Sequence, residues 1–144
     1  MATLNGGVEP MALYWTRELE IGVEEIDSQH RELFERIERL VAACQGRKGA
    51  ADLKPLLGFL LEYMDRHFRT EEELMLRRGY PERERHAGLH SSFLEHLAGL
   101  AERLGREGPS PGLLTELNIA AVDWLFDHDL LEDRALGRFL RGGN

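Results

Sequence analysis

The sequence predicts an all-α protein, an up-down-up-down antiparallel four-helix bundle with an N-terminal arm. Three observations predict it. Four long stretches repeat apolar residues at steps of three and four, the spacing that lines one face of a helix. Short segments rich in Gly and Pro separate them, and short connections between long helices make neighbours antiparallel. Val, Ile and Thr are sparse, so strands have little support.

The arm covers about residues 1–22, with Tyr14 and Trp15 expected to pack it against the bundle. The first helix is expected over 24–45: Ile26, His30, Leu33, Ile37 and Leu40 share a face, and QGRKG supplies the breakers. The second is expected over 52–78, with Asp52 as N-cap and Pro55 tolerated in the first turn. Its stripe is Leu53, Leu57, Leu60, Met64, His67, Glu71 and Leu74, and Gly79-Tyr80-Pro81 ends it. The third, over 82–105, lines up His86, His90, Phe93, Leu97, Leu100 and Leu104. GREGPSPG turns the chain into the fourth, over 111–139, whose inner face reads Leu114, Leu117, Ala121, Trp124, Leu125 and His128. Nothing splits the chain, so residues 1–144 read as one domain.

Bulk properties narrow the function classes. The 144 residues are enough for a hydrophobic core without disulfides, and the single cysteine, Cys44, forms none internally. A net charge of −8 repels phosphate backbones, which argues against nucleic acid. The N-terminus lacks the basic and apolar regions of a signal peptide, and no apolar run spans a bilayer. The expectation is a cytoplasmic protein with no membrane association.

The chemistry lies inside the stripes. His30, His67, Glu71, His86, His90 and His128 all occupy positions that periodicity assigns to the core. Burying unpaired imidazoles and a carboxylate is costly, and metal ions satisfy both. His67 with Glu71, and His86 with His90, stand four apart, about 40° around a helix, so each pair converges on one metal or on neighbouring metals. One core histidine is more often held by a backbone carbonyl, and one H-x-x-x-H pair is a weak signal. Five of six histidines on the inner faces of four helices are not explained that way. His96, about 120° off its stripe, reads as a surface residue. The common zinc patterns H-E-x-x-H and paired C-x-x-C are absent, as is the carboxylate-rich E-x-x-H pattern of ferritin-like sites.

These segments resemble the hemerythrins, and the bacterial branch in particular. GVEEIDSQHRELF is similar to that family's first helix. HFRTEEELMLRRGYP followed by RERHAGLHSSF is similar to its H-F-x-x-E-E-x-L-M and H-x-x-x-H-x-x-F pattern, and WLFDHDLLED to its W-L-x-x-H-[IV]-x-x-x-D pattern. The resemblance covers about residues 15–140. It implies two iron ions, Fe2+ or Fe3+, one on His86, His90 and His128 and the other on His30 and His67. Glu71 and Asp133 bridge them with a solvent-derived oxo or hydroxo group. It implies dioxygen as the ligand, bound reversibly for storage, delivery or buffering at the position left open on the two-histidine iron. A di-iron enzyme (peroxidase, oxidase or nitric-oxide handling), an oxygen or redox sensor, and a structural or storage bundle are the alternatives on the same residues.

Asp133 poses a geometric problem. It follows His128 by five residues, about 140° away on an ideal helix, whereas Glu132 is better placed. The resemblance favours Asp133, which then requires a π-bulge or a bend between the two. Leu33, Met64, Phe68, Trp124 and Leu125 are expected to wall the ligand pocket, with ordinary core packing the competing reading for each. Asp27, Gln29 and Glu72 are candidates to back ligand imidazoles, or else solvated helix residues. Asp129 departs from the family's Ile or Val after the fourth-helix histidine. Facing the pocket it would hasten autoxidation relative to Asp129→Ile, and facing solvent it would change nothing. Cys44 reads as a structural thiol.

Overall fold

A computed structural model describes residues 15–46 and 50–142, with the side chains of residues 50, 129 and 130 undescribed. Tyr14 and the orientation of Asp129 lie outside the described residues. After a short 3-10 turn at Arg17–Leu19 come α1 (Glu24–Gln45), α2 (Ala50–Arg78), α3 (Arg83–Glu107) and α4 (Pro111–Trp124). The last runs through a π-helical segment, Leu125–Glu132, into α5 (Asp133–Leu140). Helices pack as α1 on α2, α2 on α3, α3 on α4 and α4 on α1, closing a four-membered antiparallel ring. Among the described residues there is no strand, and no helix is long and apolar enough to cross a membrane.

Local chemistry sets the helix ends. Gly79 has φ +70°, a conformation that glycine adopts without strain. The Tyr80 N–H bonds the Met75 carbonyl at 2.9 Å and the Gly79 N–H reaches that of Leu76 at 3.4 Å. This is a Schellman cap, and Tyr80 and Met75 supply its hydrophobic contact. Ser110 caps α4, accepting the Leu113 N–H at 3.2 Å, with Pro111 in the first position. Asp52 is not an N-cap as the sequence suggests: α2 begins two residues earlier, and Asp52 sits in the first turn, where its charge faces the positive end of the helix dipole.

α1 lacks a side-chain cap at Val23. Asp27 reaches back instead, accepting the N–H groups of Ile21 (2.8 Å) and Gly22 (3.1 Å). It fixes the chain before α1 and does not back an imidazole. The same segment is tied to α5 by Arg134 on the Glu18 carbonyl and Arg141 on the Ile21 carbonyl. It lies so close that a Cβ on Gly137 would stand 2.6 Å from the Ile21 carbonyl oxygen. Trp15 packs edge-on against Phe34, with ring centroids 5.3 Å apart.

Every inner-face residue expected on α1, α3 and α4 is buried, and on α2 only Leu74 stays partly open. Two apolar clusters result. The larger runs from Leu33 and Met64 to Phe93, Leu117 and Leu125. The smaller gathers Ile21, Ile26, Met75, Tyr80, Leu136 and Leu140. α1 and α2 contribute to both clusters, the chain from α4 through the π segment to α5 runs from the larger to the smaller, and the polar core residues lie between. His96 is exposed. Cys44 is buried, and burial pushes its thiol up to about 11, so it stays protonated at neutral pH.

Candidate metal centre

Seven side chains fill the layer between the two clusters: His30 from α1, His67 and Glu71 from α2, His86 and His90 from α3, His128 from the π segment and Asp133 from the start of α5. Each is at most 2% exposed.

Their atoms fall into two groups. Near Glu71 Oε1 stand the Nε2 atoms of His86 (3.1 Å), His90 (3.1 Å) and His128 (3.9 Å). Asp133 Oδ1 faces His86 and His128 of the same group at 3.1 and 3.0 Å. Near Glu71 Oε2 stand His67 Nε2 (2.9 Å) and His30 Nε2 (3.5 Å), and His30 meets Asp133 Oδ2 at 2.8 Å. Each carboxylate therefore turns one oxygen to each group. One group has five donor residues, the other four, and in each the donor atoms lie within 4.8 Å of one another.

The π segment makes this possible. The Asp133 N–H bonds the His128 carbonyl, five residues back. The wider turn, nearer five residues than 3.6, brings Asp133 under His128. Glu132, the better candidate on an ideal α-helix, turns outward to Arg85 at 2.6 Å. Hydrogen bonds and charge from Arg85 hold its carboxyl below the ordinary range.

The layer asks for positive charge. His90 Nε2 and His128 Nε2 face each other at 3.1 Å, a contact that needs a proton or a metal between two lone pairs. His67 Nε2, Glu71 Oε2 and Asp133 Oδ1 lie close to one another or to neighbouring imidazoles, yet they make no well-directed hydrogen bond, and neither do the buried Nδ1 atoms of His86 and His128; toward the layer this is costly unless a cation satisfies them. In the metal-free molecule, protons do part of this work. Burial acts against a charged imidazole, yet hydrogen bonds and charge from Asp133 and Glu71 push His86 up to about 9 and His128 up to about 10. For Glu71 burial again opposes the charge, but His67, His128 and His30 hold it well below the usual carboxylate range. Asp133 lies below that range too: burial and Glu71 oppose its charge, and His128 and His30 outweigh them. Burial lowers His67, leaving it a neutral donor. Neutral nitrogen with anionic oxygen is a donor set that suits iron, zinc, copper or nickel.

Outer contacts orient the rings. His67 Nδ1 meets Gln29 Oε1 at 2.7 Å, and His90 Nδ1 meets Glu72 Oε2 at 2.8 Å. With Nδ1 as donor, each ring keeps Nε2 bare toward the layer. Phe68 stacks on His90 (3.9 Å between centroids, 4°) and Trp124 on His128 (4.0 Å, 12°). Leu33, Met64 and Leu125 are buried in the larger cluster, each within a turn of a layer histidine on its own helix. Sequence reasoning missed Thr70, whose hydroxyl takes the Gln29 amide N–H at 3.2 Å and donates to the Arg66 carbonyl at 3.1 Å. Nothing in its spacing marks it.

An antiparallel four-helix bundle with histidines and shared carboxylates in its core defines a class, the metal-binding helical bundles. The model of the hemerythrin HHE cation binding domain matches residues 21–140, and the chain belongs to the hemerythrin family. It is 32% identical over 123 residues to the Bacteriohemerythrin of Stenotrophomonas maltophilia, covering 85% of this chain and 78% of that one. It is 32% identical over 115 residues to that of Campylobacter jejuni (79% and 84%) and 33% over 116 residues to that of Pseudomonas aeruginosa (81% and 73%).

Proposed function

We propose that the chain is a cytoplasmic protein that binds dioxygen reversibly at a pair of iron ions, acting in storage, delivery or buffering and not as an enzyme. The observation that carries this reading is the division of one buried layer into two donor groups that share both oxygens of Glu71 and Asp133. His86, His90 and His128 would hold one iron and His30 and His67 the other, with Glu71 and Asp133 shared between them and an oxo or hydroxo group supplied by solvent. Ferrous iron supplies the electrons that make dioxygen a ligand.

The remaining work belongs to the protein. The two-histidine group has one donor residue fewer than its neighbour, so the exogenous ligand takes its place there. Gln29 and Glu72 keep the His67 and His90 Nε2 atoms aimed inward. Leu33, Met64, Phe68, Trp124 and Leu125 wall the site and exclude water that would carry protons to the bound ligand. Trp15 closes the His30 side, its ring centroid 6.3 Å from that imidazole. Iron analysis with visible spectroscopy tests the reading. Two irons per chain and an absorption band that appears in air and fades under argon are expected. One iron or none, or oxidation with no reversible band, overturns it.

A further inference from the structure

We propose that the two donor groups are graded by what stands behind His90 in one and His67 in the other, so that a divalent metal fills the three-histidine group first and the two-histidine group second. The proposal rests on the two-metal reading above. Behind His90 is a carboxylate: Glu72 Oε2 accepts its Nδ1–H at 2.8 Å. Behind His67 is a neutral amide, Gln29, at 2.7 Å. A carboxylate on Nδ1 draws the ring toward imidazolate and makes Nε2 the stronger donor, whereas an amide orients the ring without adding charge. The difference in donor residues, five against four, acts in the same direction.

Thr70 is the positioning residue of the weaker group. An amide can present either its oxygen or its NH2 to His67, and only the oxygen leaves His67 Nε2 free for metal. The Thr70 hydroxyl spends its proton on the Arg66 carbonyl at 3.1 Å, so toward Gln29 it offers a lone pair, which takes the NH2 at 3.2 Å. The backbone of α2 thereby fixes the amide, the amide fixes the imidazole, and the imidazole presents its lone pair to the layer.

The test is a cobalt(II) binding isotherm on the full chain by calorimetry, with visible d–d absorption reporting coordination. Proton NMR assigns each step from the shifted Nδ1–H signals of His90 and His67. The natural chain is expected to bind two equivalents in resolved steps, His90 shifting with the first and His67 with the second. Glu72→Gln, a neutral isostere at a residue 38% exposed, is expected to weaken the first step about tenfold. Gln29→Glu, the reverse exchange, is expected to tighten the second. Thr70→Val is expected to weaken only the second step and Thr70→Ser to restore it, a pattern that loss of folding does not produce. Fewer than two equivalents would sink the two-metal reading itself. Two equivalents with unresolved steps, His67 shifting first, or affinities indifferent to these exchanges would leave that reading standing and overturn the grading.

Discussion

In the larger core, Leu60, Leu97, Leu104 and Leu117 meet from three of the four helices with no exposed surface. About three turns or more away, on α2, on α3 and at the start of α5, Glu71, His86 and Asp133 are equally dry. The first region is satisfied by its own contacts. The second is satisfied only when something positive joins it, whether protons on His86 and His128 or metal. The backbone differs as well. The apolar region is α-helix as far as Leu125, where the π segment begins, and the donor layer takes His128 from that segment and Asp133 from just beyond it, because a strict 3.6-residue repeat cannot aim both inward. Burial alone therefore says little about what a core is for, and the chemistry of the buried atoms says a good deal.

The largest effect is expected in the donor layer. Asp133→Ala is expected to abolish binding of the second metal and weaken the first beyond the roughly 100-fold seen when outer partners are lost. Glu132→Ala is expected to keep both metals. Metal analysis after dialysis separates the two, and the opposite pattern would mean that the π turn does not place the carboxylate the metals need.

Next in size is Leu97→Ala in the apolar region, expected to lower stability by about 2–5 kcal/mol in urea unfolding. The loss should be similar with and without metal, and metal content should not change. A loss confined to the loaded protein would show that the two regions are not independent.

A third test uses pH. His86 and His128 have folded values raised above the ordinary 6.5, to about 9 and about 10. Their contribution to metal-free stability is complete below about pH 6.5 and is lost as pH rises through 9–10. Glu71 and Asp133 are depressed, so their contribution is present above the ordinary carboxylate range and is lost in acid. The metal-free protein is expected to lose stability between pH 7 and 10, and metal loading at pH 7 is expected to release protons. Unfolding curves across that range check the first, and calorimetry in buffers of different ionisation enthalpy checks the second. Proton uptake on loading would contradict the account.

The smallest effect is expected at the surface pair behind the π segment. Arg85→Ala removes a contact whose arginine is 53% exposed, and should cost less than about 1 kcal/mol, less still in high salt. Metal content should be unchanged.

Much of this was legible in the sequence because helical periodicity is regular in both regions. The stripes named the buried faces, and the histidines stood out as polar residues on apolar stripes. Even the π segment could be expected once the family resemblance favoured Asp133 over Glu132, since His128 and Asp133 are five residues apart. What was not legible depends on non-periodic contacts. Asp27 looked like a support for an imidazole and instead holds the Ile21 and Gly22 amides, because α1 starts without a cap. The start of α2 is not legible from Asp52, because dipole favour in a first turn and capping at its edge call for the same residue type; Asp52 stands in the first turn. Thr70 is indistinguishable in sequence from any half-buried helix threonine, and only the rotamer of Gln29 reveals it.

The most direct test of the central claim is the visible spectrum of the iron-loaded chain, reduced without air and then exposed to it, with iron counted on the same sample. Two irons per chain are expected, with a charge-transfer band that rises in air and falls under argon over repeated cycles. Two irons that oxidise at once with no reversible band would contradict it.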